Sequence, residues 1–318
     1  MANSGGDFGI SPYLQEIECY YGQNEIYESG SEALEKLLHI PMNKKQIERV
    51  TKHYGDCLEK ELEKESLEQL PRSVEKDEQV YAMIDGSMIF TRLGEWKEVK
   101  LGRIFSSKVL YSVSSRRNWI QDSFYVAHVG ACEDFLNKFE SYTDRYDNNL
   151  VFVCDGARWI WKWVETHYPG AIQILDYYHA VQHLTKFADL VFKEKEAKNN
   201  WKERQKQLIW DGAIEQVIQN IEAANCTNVK QRKGRQDLIN YYQTNMERMR
   251  YEHFRQQGLL IGSGPIESAH RTVIQKRLKL SGQRWTIGGA QQVLNLRVAH
   301  MSGYWQRLID LVDNRKRA

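Results

Sequence analysis

The sequence predicts an α/β fold in which a mixed five-stranded sheet is flanked by helices, and three observations lead to it. Segments 79–90 (QVYAMIDGSMIF), 96–107 (WKEVKLGRIFSS) and 124–130 (FYVAHVG) are rich in β-branched and aromatic residues and read as an antiparallel meander. Two shorter apolar runs at 149–154 and 171–176 alternate with helical patterns. Finally, the roughly 80 residues before Glu267 carry a helical pattern and almost no strand signal.

Taken from the N-terminus, residues 1–75 form a helical region. Glu32–Leu38 and Lys44–His53 read as short helices joined by His39–Asn43, a spacing that suits a helix-turn-helix or, alternatively, a packing or dimerisation element. Glu59–Glu68 reads as a charged helical linker ending near Pro71. Residues 76–178 form the first part of the sheet domain. Its helix at 131–146 carries Phe135, Leu136 and Phe139 at core spacing, and its helix at 157–167 carries Trp159 and Trp163 one turn apart, as core aromatics. Residues 179–257 are a helical insertion with a polar loop at Cys226–Gly234, and 258–318 complete the core with basic C-terminal helices.

Three carboxylates stand at element ends. Asp85 closes the first predicted strand, Asp155 closes the fourth, and Glu267 follows Gly264-Pro265, with Pro265 at the first helical position. Each has a plain reading as well. Asp85-Gly86 suits a hairpin corner, Asp155-Gly156 a strand-to-helix turn, and Glu267 the favourable third position of a helix. The order β-β-β-α-β-α-β followed by helices is that of an RNase H-like sheet, where the ends of strands one and four lie side by side and the last helix crosses nearby. That order predicts convergence of the three carboxylates into an oxygen-rich site suited to Mg²⁺ or Mn²⁺.

The chain resembles a DDE-type transposase of a bacterial insertion sequence, in the group related to the Mutator-like elements. The residues that carry the resemblance are Ile84-Asp85-Gly86, Cys154-Asp155-Gly156-Ala157, Leu175-Asp176-Tyr177-Tyr178-His179-Ala180 and the run GSGPIESAHRTVIQKRLKLSGQRW at 262–285. It extends over roughly residues 10–310, and the last run is its most specific part. The resemblance implies that Asp85, Asp155 and Glu267 are catalytic and bind two Mg²⁺ or Mn²⁺ ions, with Asp176 and His179 as a signature near the site. Such carboxylates support in-line phosphodiester attack, by water to cleave and by a 3′-hydroxyl to join, without a covalent protein intermediate. The resemblance also implies that the helical insertion helps to bind DNA. The family usually has more chain and separate DNA-binding modules at its N-terminus; none is visible here, which puts autonomous recognition of element ends in doubt.

Charge placement fits nucleic acid better than the net charge of +2 does. Residues 1–75 hold 8 Lys and Arg against 15 Asp and Glu, whereas residues 227–318 hold 17 against 6. Lys230, Arg232, Lys233, Arg235, Arg271, Lys276, Arg277, Lys279 and Arg284 are therefore the expected phosphate contacts, against the ordinary alternative of a solvated face. Trp285 is read as a stacking partner for an unpaired base or as a packing aromatic. Asp176, His179 and His183 share one helical face at i, i+3 and i+7, which is compatible with zinc. The glutamate of a His-Glu-x-x-His motif and any supporting cysteine pair are missing, so His183 is read as a packing residue.

Five cysteines without a Cys-x-x-Cys pair argue against a disulfide framework, and no apolar run is long enough for a membrane span. The expected setting is cytoplasmic and nucleoid-associated, the expected partner double-stranded DNA, and the expected assembly a homo-oligomer formed on that DNA. The alternatives to a transposase are a catalytically inactive DNA-binding descendant and a nuclease that cuts without joining.

Overall fold

The computed structural model describes residues 8–64, 78–114 and 117–313. The chain forms two compact units: the first holds residues up to Val80, Asp85–Tyr146 and Ile266 onward, the second Tyr81–Ile84 and Asp147–Pro265. The end of the expected charged linker, including Pro71, lies outside the described residues.

The first unit begins with helices α1 (Pro12–Asn24), α2 (Tyr27–Leu38) and α3 (Lys44–Lys64). Ser11 caps α1 by accepting from Leu14 N, with Pro12 in the first turn. Strands β1 (Val80–Phe90) and β2 (Trp96–Ser106) follow, then a hairpin of β3 (Leu110–Ser114) and β4 (Arg117–Ile120), then β5 (Phe124–Val129) and helix α4 (Cys132–Thr143).

The second unit contains β6 (Leu150–Cys154), α5 (Arg158–His167), β7 (Ile172–Leu175), α6 (Tyr177–Val191), α7 (Lys195–Trp210), α8 (Ile214–Glu222), α9 (Val229–Asn245) and α10 (Tyr251–Gln256). After α11 (Gly264–Ala269) come a π-helical turn (His270–Gln275), α12 (Lys276–Leu278), α13 (Ile287–Met301) and α14 (Gln306–Val312).

The five main strands form one mixed sheet in the order β5-β2-β1-β6-β7. Strands β2 and β5 pair antiparallel, from Val99 opposite Val129 to Ile104 opposite Phe124. Strands β6 and β7 pair parallel, from Val151 opposite Ile172 to Cys154 opposite Leu175, and β6 is buried along its whole length as a central strand must be. The sheet expected from the sequence is therefore present at the level of element order.

Residues 12–64 do not stand apart from the rest of the first unit. Cys19, Val50, Tyr54 and Leu58 share one apolar core with Leu296, Ala299, Leu308 and Val312 of α13 and α14. Helices α3 and α13 cross so closely that a Cβ on Gly55 would lie 2.1 Å from the Gln292 carbonyl oxygen, so only glycine fits. Helix α13 also closes the sheet edge. Its Gln291 accepts from Val129 N (2.8 Å) and donates to the Ala127 carbonyl (3.2 Å), leaving less of β5 open to another strand. It is buried on nearly every face, so α13 itself belongs to the structural core.

Four local expectations are corrected. Asp85 does not end β1, which runs five residues further to Phe90; Asp85-Gly86 is strand, not a hairpin corner. Gly86 is instead where the Glu98 side chain crosses β1, 2.3 Å from where a Cβ would stand. The basic run 230–235 is helical, because Asn228 accepts from Gln231 N and starts α9 there. On α5 the aromatics in the core are Trp161 and Trp163, while Trp159 is half-buried. Phe135 and Phe139 do fill the core under the sheet, with the Phe139 ring lying over Gly102.

Candidate functional site

Asp85 lies in the first unit, where β1 passes from buried to half-exposed. Its side chain is 36 % exposed; Oδ1 accepts from Gly86 N at 2.7 Å, and Oδ2 stands 3.3 Å from His270 Nε2. His270 is buried, and burial pushes its imidazole down to about 4. It is thus neutral at pH 7, and the contact with Asp85 is not an ion pair. Neither ring nitrogen has a well-aligned hydrogen-bond partner among the described residues. A π-helical turn holds His270 in this position, and such turns are often found at functional sites.

Arg297 of α13 braces that turn. It is almost completely buried and donates to the carbonyls of Thr272 and Val273, and to Gln23 at the end of α1. A π-turn leaves carbonyls without their usual helical donors, and this guanidinium replaces them. His270 is the functional candidate that sequence reading passed over. Its one signal was a position three residues after Glu267 in the most specific run. Glu267 itself is exposed on α11.

In the second unit Asp155 follows β6. Its Oδ1 accepts from Ala157 N (2.9 Å) and its carbonyl from Trp161 Nε1 (2.7 Å), so the turn is fixed from both sides. Tyr241 packs against that turn; a Cβ on Gly156 would lie 2.3 Å from its ring. Burial, then the charges of Asp155 and Asp176, push the Tyr241 hydroxyl well above its ordinary range. A groove of about 700 Å³ opens beside Gly156, with Arg158, Lys162 and Lys186 among its lining residues.

Asp176 is buried and fully engaged. Oδ1 accepts from Tyr178 N (2.6 Å) and His179 N (3.1 Å) as the N-cap of α6, while Oδ2 accepts from Ser263 N (3.1 Å) and from Ser263 Oγ. Asp176 therefore anchors the Ser263 segment to α6. His183 stacks on Tyr241 with ring centroids 4.2 Å apart, and burial lowers its pKa to about 4. On this helical face Asp176 is committed to hydrogen bonds and His183 to ring stacking.

The expected DNA contacts divide. Lys230, Arg232 and Lys233 are exposed on α9, while Arg235 is half-buried and donates to the Glu222 carbonyl (3.1 Å). Arg271, Lys276, Lys279 and Arg284 are exposed in the first unit. Arg277 is not available: it is 1 % exposed, donates to the Gly22 carbonyl and lies over the rings of Tyr27 and Trp285. Trp285 is likewise buried, with Nε1 donating to the Leu278 carbonyl (3.1 Å) and its backbone bridging Thr91 beyond β1. The packing alternative describes it.

The donor set of Asp85, Asp155 and Glu267 is all oxygen, as Mg²⁺ or Mn²⁺ prefers. Among the described residues, no three His, Cys, Asp or Glu side chains are gathered into a ready metal site, and no helix is long and apolar enough to cross a membrane. No protein-family model and no curated protein matches the chain.

Proposed function

We propose that this chain is a metal-dependent DNA-cleaving and strand-transferring enzyme of the transposase type, with Asp85, Asp155 and Glu267 as its catalytic carboxylates. The observation that carries the reading is the sheet. Asp85 lies in β1 and Asp155 directly follows β6, and the strand order makes those two strands neighbours. Glu267 lies in the first turn of α11, and the turn that follows presents His270 to Asp85.

Each residue has a role in this proposal. Asp85, Asp155 and Glu267 would hold the divalent ions, which would supply charge neutralisation at the phosphate and a lowered pKa for the attacking oxygen. Arg271, Lys276, Lys279 and Arg284 hold the DNA backbone through its phosphates, positioning it without reading its sequence. His270 closes off the side of Asp85 that faces the protein and limits how its carboxylate turns, as an outer partner of a metal ligand does. Trp161 and Tyr241 hold the turn that carries Asp155. Attack by water on a phosphodiester would break the P–O bond to the leaving strand. Attack by a freed 3′-hydroxyl would form the new P–O bond in the target and expel the target's own 3′-oxygen, so one site serves both steps.

The test is nicking of supercoiled plasmid with Mg²⁺ or Mn²⁺ by the wild-type chain and by Glu267→Gln. Nicking that is lost in the variant, while DNA affinity persists, is the expected result. DNA binding with no nicking by the wild type would instead identify an inactive binding descendant, and nicking without any joined product a nuclease.

A further inference from the structure

The first unit contains a groove of about 480 Å³ between the tip of the β1–β2 hairpin and the segment after α12. Met88, Phe90 and Trp96 form one wall; Leu280, Lys279 and Arg284 lie along the other. Its size is in the usual range for small-ligand clefts, roughly 300–1,000 Å³. Trp96 is 60 % exposed and is joined by exposed Met88 and Leu280. A tryptophan left this open beside other apolar surface is uncommon in a protein that has somewhere else to bury it.

The groove combines two kinds of group. Trp96 and Phe90 stand with ring centroids 5.1 Å apart, and the Arg284 guanidinium lies 5.4 Å from the Phe90 centroid. Lys279 donates to Ser87 Oγ at 3.2 Å, which places its ammonium beside β1 two residues from Asp85 in the chain. No carboxylate is among the lining residues. The nearest acid in sequence, Glu95, is paired with Lys97 at 3.1 Å. Open aromatic faces beside cations, in a groove lined by no carboxylate, match a nucleotide: the base stacks on a ring and the phosphate meets the charge.

We infer that this groove receives an unpaired base of a DNA strand, stacked on Trp96, with Arg284 and Lys279 holding the adjoining phosphates. The inference rests on the DNA reading above and adds a structural preference to it: DNA with a displaced or single-stranded base binds better than intact duplex. The role considered for Trp285 belongs to Trp96, since Trp285 is enclosed by Arg277 and the end of β1. An intact duplex keeps its bases stacked and offers the groove only backbone, whereas a strand end or a flipped base offers an aromatic face.

Fluorescence anisotropy with three labelled DNAs tests this. The first is a blunt duplex, the second the same duplex with a short single-stranded tail, and the third has that tail built from abasic residues of equal charge. The wild type is expected to bind the tail with bases on the order of tenfold tighter than the abasic tail. Trp96→Ala should erase that difference while leaving blunt-duplex affinity unchanged, and Trp96→Phe should retain most of it. Because Trp96 is exposed, neither variant loses core packing. Equal binding of the two tails by the wild type, or a tail preference that survives Trp96→Ala, overturns the inference. A change in oligomeric state in Trp96→Ala with base discrimination intact would assign the groove to a second copy of the chain and also overturn it. Failure of the wild type to bind any of the three DNAs would bring down the DNA reading itself.

Discussion

Asp85 lies within β1 and Asp176 directly follows β7, and their surroundings assign these two aspartates opposite tasks. Asp176 is buried and accepts four hydrogen bonds, two from the start of α6 and two from Ser263. Its charge is neutralised by fixed donors, and its oxygens are committed to joining two segments. Asp85 is more than a third exposed, bonds to its neighbouring amide, and has a neutral, buried imidazole beside its other oxygen. Asp176 is saturated from within, whereas Asp85 stays partly exposed with the His270 imidazole beside it.

That contrast makes the largest expected effect the one on chemistry. Asp85→Asn, Asp155→Asn and Glu267→Gln should each lower strand cleavage about a thousandfold, the loss of several kcal/mol of charge stabilisation. Their melting temperatures should stay within a few degrees of wild type in differential scanning calorimetry. Asp176→Ala should do the reverse. It removes an N-cap and strands the Ser263 N–H and hydroxyl, costing about 3 kcal/mol in urea unfolding. A stable, inactive Asp176→Ala protein would erase the distinction between the two aspartates.

Arg297→Met sharpens the comparison from behind the site. Truncation leaves the Thr272, Val273 and Gln23 carbonyls buried without donors, so unfolding free energy should fall by about 3–5 kcal/mol. A smaller effect belongs to His270→Gln, which leaves the fold in place but loosens Asp85. Mn²⁺ affinity measured by calorimetry should drop about tenfold, with unchanged affinity for blunt duplex DNA. A simple packing residue would change the melting temperature and leave metal affinity alone.

The smallest effect is linked to pH. Glu18 is fully buried on α1, and burial raises its carboxyl from 4.5 to about 7. The native state therefore holds this proton more tightly than the unfolded chain. Stability from that group is complete below pH 4.5 and is lost as pH rises through about 7. Glu18→Gln should match wild type near pH 5 and exceed it by about 2–3 kcal/mol near pH 8.5, a gap that thermal melts at the two pH values would show.

The sheet was legible because its strands are strongly apolar and bounded by clear turns, as in Leu150–Cys154. What the sequence concealed has physical causes. Helix α1 lies in the region read as helical but was given no bounds, because Gln15, Glu18 and Gln23 occupy buried positions, which breaks the apolar period. The β3–β4 hairpin was missed because Tyr111, Val113 and Trp119 face outward. Asp85-Gly86 has the composition of a turn, but pairing within the sheet keeps it extended. Residues 230–235 look like a loop by charge, and one cap at Asn228 makes them helix. Asp85, Asp155 and Glu267 were candidates on sequence alone; His270, Arg297 and the open face of Trp96 depend on contacts between distant segments, which no local pattern records.

The central claim is that Asp85, Asp155 and Glu267 act on one metal centre. Anomalous diffraction from crystals grown with Mn²⁺ and a bound DNA duplex tests it most directly. The expected result is one or two manganese peaks in contact with oxygens from all three carboxylates. Peaks that touch no more than one of them, or none in that region with DNA in place, would contradict it.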